Sequence, residues 1–506
     1  MIAAGRTLAL IAIAAVFADQ AGAAWRRADA GLFSVYAQVS DRTAREFAVN
    51  IYEFDQVLRL LFNAPQPEAT SQPLEINLLK SNHELRRIFP NASSDTVGLF
   101  LGEPFGTYAF ATFGRSAMPA RQVVFHEYTH YFMARIAPGV YHQWLSEGMA
   151  EFAATTEISG GRAVLGRVSD ARAITLNANR AWLSPDAVFE RSPASFNASA
   201  RSRFYAQAWL YTHFFLADPD RRQWLIRYLA ALGEGAAANE VTFEAATGLS
   251  YRAFARQIRR YWRRGAPAFA FPVAARETEV RVSALTPAAS EVRVPALAAA
   301  LFRPDDPDKA DLLAEIRDLA ALYPDAPAAR RALALAEARF GDAVRARALY
   351  RDLIAADPDA ASLHFELGLA WLRDSRAEGR FENARAAFVE AFNRDPQHYP
   401  TLFSYGWSFL YDPDAAVDDH VVAAITQARA LAPHVSEIAL LLARALMTVE
   451  RFEDAIAILE PWANDPHKRL PFARDWIADA EAGLLEQRAR LAEAERPGNA
   501  QSEQMP

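Results

Sequence analysis

The first part of the chain alternates between helix-like and strand-like patterns of apolar residues. Residues 28–64 keep an apolar stripe at helical spacing, which predicts a helix. Residues 74–81 and 97–112 are rich in apolar, aromatic and β-branched residues, which is typical of strands. Residues 155–167 predict a hairpin around a Gly-Gly turn, and helical spacing dominates from about residue 199 to 264. These patterns predict an α+β unit of about 240 residues.

From about residue 300 the chain is rich in Ala, Leu and Arg, and its helical pattern repeats. Prolines follow successive predicted helix pairs at a spacing near the tetratricopeptide (TPR) period of about 34 residues. They are Pro324, Pro358, Pro396, Pro433 and Pro466. The clearest unit also carries Ala384, Phe388 and Ala391 at the consensus spacing. We expect an all-α TPR solenoid with a concave groove for a peptide or partner protein, and a generic helical bundle is the alternative.

Two further segments are harder to assign from their pattern. Residues 266–300 contain two short alternating runs, TEVRVSAL and SEVRVPAL, which are either strands that close the first unit or a linker. Residues 491–506 are polar, and we expect them to be a disordered tail.

The amino terminus resembles a secretory signal. In residues 1–24, Arg6 precedes the apolar run TLALIAIAAVF, and Ala21-Gly22-Ala23 gives a small-residue cleavage pattern. The run is too short to span a bilayer. We therefore expect an exported protein, periplasmic or secreted, with no membrane segment once the signal is removed; an uncleaved anchor or a buried helix is the alternative.

Composition excludes several classes of function. The 506-residue chain has no cysteine, so disulfides, lipid-anchored cysteines, thiolate zinc sites and cysteine nucleophiles are ruled out. The formal net charge is −7, and the one local basic run, RQIRRYWRR before Gly265, is short and is expected to end a solvated helix. Nothing therefore indicates a nucleic-acid footprint.

The segment His126-Glu127-Tyr128-Thr129-His130 is the strongest chemical signal in the chain. It forms an HExxH motif inside VVFHEYTHYFMA, which has no Pro or Gly to break a helix. Residues four apart share a helical face, so His126 and His130 can offer their imidazoles to one metal ion. Glu127 follows at the position of a general base. The alternative is a helix whose two histidines bond to neighbouring carbonyls.

A downstream carboxylate completes the predicted site. Catalytic zinc takes three protein ligands and leaves a position open. Glu147 in WLSEGMAEF, after a predicted turn at Pro138-Gly139, is the expected third ligand. Glu151 falls four residues later and could accept the free ring N–H of a ligand histidine. An exposed acidic face is the alternative, although flanking apolar residues make it less favourable.

HExxH followed by WLxEGxAEF resembles the gluzincin metallopeptidases of clan MA, and in particular bacterial peptidase-MA-like proteins with repeats behind the core. The resemblance covers roughly residues 75–265. It implies a thermolysin- or aminopeptidase N-like core, Zn²⁺ held by His126, His130 and Glu147, and Glu127 as general base. The GxMEN segment with which aminopeptidase N-like enzymes grip a free amino terminus is absent upstream of His126, which favours endopeptidase action.

The resemblance also suggests an oxyanion-stabilising residue and a substrate-binding strand. Tyr205 is the candidate for the former, and core packing with neighbouring aromatic residues is its alternative. Weaker candidates are Tyr211, Tyr141 and His213. In gluzincins a sheet edge pairs with the extended substrate backbone, and Tyr108 to Thr112 would fit that edge.

The sequence thus predicts an exported zinc-dependent peptidase that acts on a peptide or protein, with a TPR arm that binds a partner or substrate. The alternatives are a TPR interaction scaffold with a catalytically silent core, and a zinc hydrolase of cell-wall peptide links or other amides. The predicted layout is a signal at 1–24, the peptidase domain at 25–265, a linker or closing strands at 266–300, the TPR domain at 301–490 and a tail at 491–506.

Overall fold

A computed structural model describes most of the chain. The described residues are 24–66, 72–92, 96, 98–112, 120–136, 142–178, 182–273, 278–301, 306–463 and 471–494. The predicted signal (except Ala24), the predicted turn at Pro138-Gly139 and the weak candidate Tyr141 lie outside these residues. The described part is mostly helical and contains a mixed sheet.

Nine described strands form two sheets. The larger sheet has the order β4-β5-β3-β2-β1-β9, and the smaller has the order β6-β7-β8. β3 pairs in parallel with β2 and with β5, and the other neighbours are antiparallel. The strands are β1 (Arg26–Ala30), β2 (Phe33–Ala37), β3 (Leu74–Leu79), β4 (Gly98–Glu103), β5 (Gly106–Thr112), β6 (Glu157–Ser159), β7 (Arg162–Leu165), β8 (Phe269–Pro272) and β9 (Val280–Ala284).

The prediction of one helix over 28–64 is wrong at its start. Residues 28–37 of that range belong to the β1–β2 hairpin, and helix α1 spans Asp41–Phe62 with Ser40 as its N-cap. Gly31 takes a positive φ of 55° at the hairpin turn, a conformation that glycine adopts without steric cost. β1 also pairs with β9, which lies about 250 residues later. The local pattern of apolar residues does not indicate a partner at that distance.

Two hydrophobic cores hold the amino-terminal half together. One lies between the larger sheet, α1 and α3. The other is rich in aromatic side chains and is built mainly from α4, α7 and the helices that follow it. The helices are α1, α2 (Asn82–Ile88), α3 (Ala120–Ile136), α4 (Gln143–Ala154), α5 (Asp170–Asn177), α6 (Pro185–Glu190), α7 (Ala198–Leu216), α8 (Pro219–Gly233), α9 (Glu240–Thr247) and α10 (Tyr251–Arg263).

The segment 266–300 contributes strands and a helix. β8 pairs with β7 and β9 pairs with β1, so both sheets are completed from this segment. The second alternating run, SEVRVPAL, lies in helix α11 (Pro287–Leu301) instead of a strand. Val294 and Leu297 of α11 pack with Trp25 and Phe110 against the sheet.

The carboxy-terminal part is an array of helix pairs, in keeping with the repeat that the sequence predicts. Close contacts inside the pairs fit this pattern: a Cβ on Gly368 would lie 2.4 Å from the ring of Phe388, and one on Gly406 would lie 2.3 Å from Ile425. The last described helix continues to Ala494, so the expected disorder from residue 491 is wrong for its first residues. The helices are α12 (Lys309–Leu322), α13 (Pro327–Phe340), α14 (Ala343–Ala356), α15 (Ala361–Arg373), α16 (Arg380–Arg394), α17 (Tyr399–Leu410), α18 (Asp419–Leu431), α19 (Ser436–Thr448), α20 (Phe452–Ala463) and α21 (Pro471–Ala494).

Among the described residues, no helix has both the length and the apolar character that a bilayer crossing requires.

Gly148 tests the contact between α4 and α7. A Cβ there would lie 2.1 Å from Oγ1 of Thr212 and 2.5 Å from the backbone oxygen of Ala208. Because backbone cannot move aside cheaply, we expect Gly148→Ala to lower the free energy of unfolding by about 1–3 kcal/mol, measured by urea denaturation. The matched control is Gly233→Ala, at the end of α8, where an added Cβ has no neighbour within 4 Å. Equal stabilities of the two variants would contradict the tight contact.

Candidate metal centre

Helix α3 is fixed on its inner side by α1. The ring of Phe125 stacks on Phe54 with centroids 3.9 Å apart, and the hydroxyl of Tyr128 donates to Asp55 at 2.5 Å. Arg59 donates to both oxygens of the buried Asp55 carboxylate, at 2.7 and 3.0 Å, and so balances its charge. With these residues turned inward, His126 and His130 lie on the part of α3 that faces α4.

Helix α4 presents its acidic residues toward α3. Its apolar side chains Trp144, Leu145, Met149 and Phe152 are buried in the helical core. Glu147 is only 21% exposed and Glu151 only 3% exposed. The alternative of a solvated acidic face is therefore excluded by the structure.

Three ligand atoms converge between the two helices. Nε2 of His126 and Nε2 of His130 are 3.2 Å apart, and Oε2 of Glu147 lies 3.3 and 3.4 Å from them. Atoms that share a tetrahedral zinc ion at bonds of about 2.0–2.1 Å are about 3.3 Å apart. The near-equilateral triangle therefore fits one small divalent cation. Among the described residues, this is the one group of three or more His, Cys, Asp or Glu side chains with such an arrangement.

The charges of the triangle also favour a cation. Burial lowers the pKa of His126, but the neighbouring Glu147 and the charges of Glu151 and Glu127 outweigh it and raise that pKa to about 9. Burial raises the pKa of Glu147, yet the two histidines bring it well below its usual value. Oε2 of Glu147 is buried and has no hydrogen-bond partner among the described residues. The raised pKa keeps a proton on His126, and a metal ion that bound here would displace that proton.

Neighbouring side chains contact the three candidate ligands. Nδ1 of His130 lies 3.0 Å from Oγ of Ser146, which fixes Nε2 as the atom that faces Glu147. Nδ1 of His126 faces Glu151 at 3.8 Å, longer than a direct hydrogen bond. Arg172 donates to both oxygens of Glu151, at 3.0 and 2.6 Å.

Ser146 and Arg172 were not singled out from the sequence. Ser146 precedes Glu147 and shares its helix, so its place beside a ligand could have been inferred. Arg172 lies 21 residues beyond Glu151, and no local pattern indicates their pairing.

Tyr205 lies beside Arg172, and its ring also packs on Phe204 and against the helical core. The guanidinium of Arg172 is 5.1 Å from the centre of its ring. Burial, followed by the charges of Glu147 and Glu151, raises the pKa of Tyr205, so its hydroxyl stays protonated and able to donate. The weaker candidates Tyr211 and His213 are instead buried in the helical core: Tyr211 accepts from Gln207, and His213 contacts Tyr261 and the oxygen of Pro267.

The strand beside Glu127 is β4. A Cβ on Gly98 would lie 3.3 Å from Cγ of Glu127, so the strand and α3 approach closely there. The expectation that Tyr108 to Thr112 forms the sheet edge is wrong. Those residues lie in β5, which is paired on both sides, and β4 is the outer strand of the described sheet. An additional hairpin strand covers the predicted edge, and sequence alone does not reveal that order.

Comparisons with known proteins add little chemistry. A family described only as a protein of unknown function (DUF1570) matches residues 122–236, which contain both helices of the site. A search of curated proteins finds no match. The crystal structure of a thermophilic TPR protein from Thermus thermophilus is 21% identical, covers 39% of this chain and 99% of its own, and has a TM-score of 0.30. A functional assignment therefore depends on the site itself.

Zinc binding should release a proton. Because the pKa of His126 is raised to about 9, the metal-free protein carries that proton at neutral pH, and a metal ion must displace it. We expect about one proton released per zinc at about pH 7.5, and affinity that rises about tenfold per pH unit toward the pKa of His126. Calorimetry in two buffers of different ionisation enthalpy measures the proton count, with the exposed His83→Ala variant as the unaffected control. Binding heats that do not depend on the buffer would contradict this protonation state.

Proposed function

We propose that this protein is a zinc-dependent peptidase. The observation that carries the proposal is the triangle of Nε2, Nε2 and Oε2 atoms in His126, His130 and Glu147, with sides of 3.2 to 3.4 Å. Two imidazoles and one carboxylate are the ligand set of a catalytic zinc site, which leaves a coordination position open.

The residues around the triangle have roles in peptide hydrolysis. Zinc, when bound, supplies Lewis-acid chemistry that makes a water molecule acidic near neutral pH and polarises a carbonyl group. Glu127, next to His126 on α3, accepts the proton of the attacking water and passes it to the leaving amine. The protonated hydroxyl of Tyr205 donates to the oxyanion that forms on the substrate carbonyl.

The neighbouring sheet supports a peptide as the substrate. β4 has one strand partner among the described residues and runs beside Glu127, so its outer edge offers backbone groups to an extended chain. Binding along a strand does not require a free terminus, which favours an endopeptidase. Together with the amino-terminal signal pattern, this gives an exported peptidase, periplasmic or secreted, whose TPR-like arm contributes protein interactions.

Replacing the proposed base should separate chemistry from metal binding. We expect Glu127→Gln to keep stoichiometric zinc and to lower kcat by at least about a hundredfold, because the amide cannot accept the proton. Chelator-sensitive cleavage of a peptide library, with zinc measured in the same samples, tests this. Glu244→Gln, at an exposed position on α9, is the control. Full activity of Glu127→Gln would refute its role, and zinc without cleavage in the wild type would favour the silent scaffold.

Replacing a ligand should remove the metal itself. We expect His130→Ala and Glu147→Ala to lose bound zinc and activity together, since two ligands do not retain the ion at catalytic-site affinity. Metal analysis of the purified variants provides the measurement, again with Glu244→Gln as control. Stoichiometric zinc in either alanine variant would show that the ligand set is wrong.

A further inference from the structure

The β4–β5 hairpin is held by the carboxy-terminal helices. The hydroxyl of Tyr399, the first residue of α17, donates to the backbone oxygen of Glu103 at 3.0 Å and lies 3.2 Å from Oγ1 of Thr107. Phe105 at the hairpin turn meets the ring of Phe403 edge-on, with centroids 6.1 Å apart. Tyr399 and Thr107 are both buried. This part of the TPR-like array is therefore occupied by the protein's own hairpin.

His434 adds a second contact from the turn between α18 and α19. Its Nε2 lies 2.9 Å from Oγ1 of Thr107, and its ring meets Tyr131 edge-on at 4.9 Å. A Cβ on Gly102 would lie 2.9 Å from the His434 ring, so only glycine allows this approach. Burial, and then the charge of Arg135, lowers the pKa of His434 to about 3, so the ring in this contact is neutral.

One face of β4 connects these contacts to the candidate metal centre. Gly98, Phe100 and Gly102 alternate along the strand and share that face. Gly98 lies against Glu127, Phe100 packs on Tyr131 at 5.1 Å, and Gly102 lies against His434. Tyr131 directly follows His130 in α3. His434 therefore contacts both β4, which lies beside Glu127, and α3, which contains the HExxH motif.

β4 needs such support. Two of its six residues are glycine, which weakens a strand, and every residue of the strand is only half-buried. It has one strand neighbour, so its conformation depends strongly on what packs against it. The contacts from Tyr399 and His434 come from about 300 residues further along the chain.

We propose that Tyr399 and His434 are positioning residues: they hold the β4–β5 hairpin so that the outer edge of β4 is aligned beside Glu127 for an extended peptide. This rests on the proposed peptidase function. The TPR-like helices thereby form part of the substrate cleft in addition to any role in partner binding. Neither residue belongs to the ligand triangle, so the roles of Tyr399 and His434 differ from those of the metal ligands.

The test uses the full-length protein and three readouts. For His434→Ala and Tyr399→Phe, we expect amide hydrogen exchange of residues 98–107 to become about tenfold faster, because each loses a buried contact to the hairpin. Bound zinc should be unchanged, and KM for a peptide should rise about tenfold while kcat changes about twofold or less. In His434→Gln the side-chain amide can still bond to Thr107. We therefore expect the hydrogen exchange of residues 98–107 and the KM of this variant to stay close to the wild-type values.

Matched controls come from the same helical array. His364→Ala removes a buried histidine that bonds to the oxygen of Pro358, and Tyr405→Phe removes a hydroxyl from α17. In the described part of the chain, neither side chain forms a hydrogen bond or a ring contact with the hairpin. Unchanged exchange of residues 98–107 in His434→Ala, or an equal change in His364→Ala, would overturn the proposal. So would faster exchange with an unchanged KM. A wild-type protein that cleaves no peptide would refute the proposed function. Unchanged exchange of residues 98–107 would refute, independently of any cleavage, the contact on which positioning depends.

Discussion

The candidate site depends on the way in which helix α3 is fastened to helix α1. Asp55 is a buried carboxylate whose charge is balanced by Arg59. Its oxygens also accept hydrogen bonds from the hydroxyl of Tyr128 and the side-chain amide of Gln56. Removing one member of such a group leaves an uncompensated buried charge, which is strongly destabilising. Tyr128 lies inside the HExxH motif itself. The same five residues therefore provide the two candidate histidine ligands on one face and the anchor on the other, and the anchor sets the direction of both imidazoles.

The second constraint is electrostatic. The histidine pair is surrounded in a poorly solvated space by three carboxylates, those of Glu127, Glu147 and Glu151. Arg172 neutralises only Glu151. Like charges in such a space repel one another, and a cation nearby offsets that repulsion. In the metal-free protein a proton on His126 offsets part of this negative charge, which is why the pKa of His126 is raised. A divalent ion would offset more of the negative charge, and the spacing of the three candidate ligand atoms suits such an ion.

The two halves of the chain meet on both sides of the larger sheet. Helix α11 packs Val294 and Leu297 against one side, and Tyr399 and His434 reach the hairpin at the outer strand. The strand β9 also lies beside β1, so the segment after the amino-terminal helices is joined to the first described strand. The helical array and the sheet therefore support one another, and the part of the array around Tyr399 is occupied by the β4–β5 hairpin.

The sequence by itself determined the elements whose evidence is local. The HExxH spacing, the glutamate in WLSEGMAEF, the Gly-Gly hairpin and the repeated helix pairs were all predictable, because helical and strand periods place their residues relative to near neighbours. Only the tertiary structure decided the strand order that makes β4 the edge in place of Tyr108 to Thr112, the β1–β2 hairpin within the predicted helix, the pairing of Arg172 with Glu151, and the contacts of His434. Each of these joins residues whose relation is set by packing across the fold, and a one-dimensional pattern of apolar and polar residues does not encode which distant partner a strand or a charge will meet.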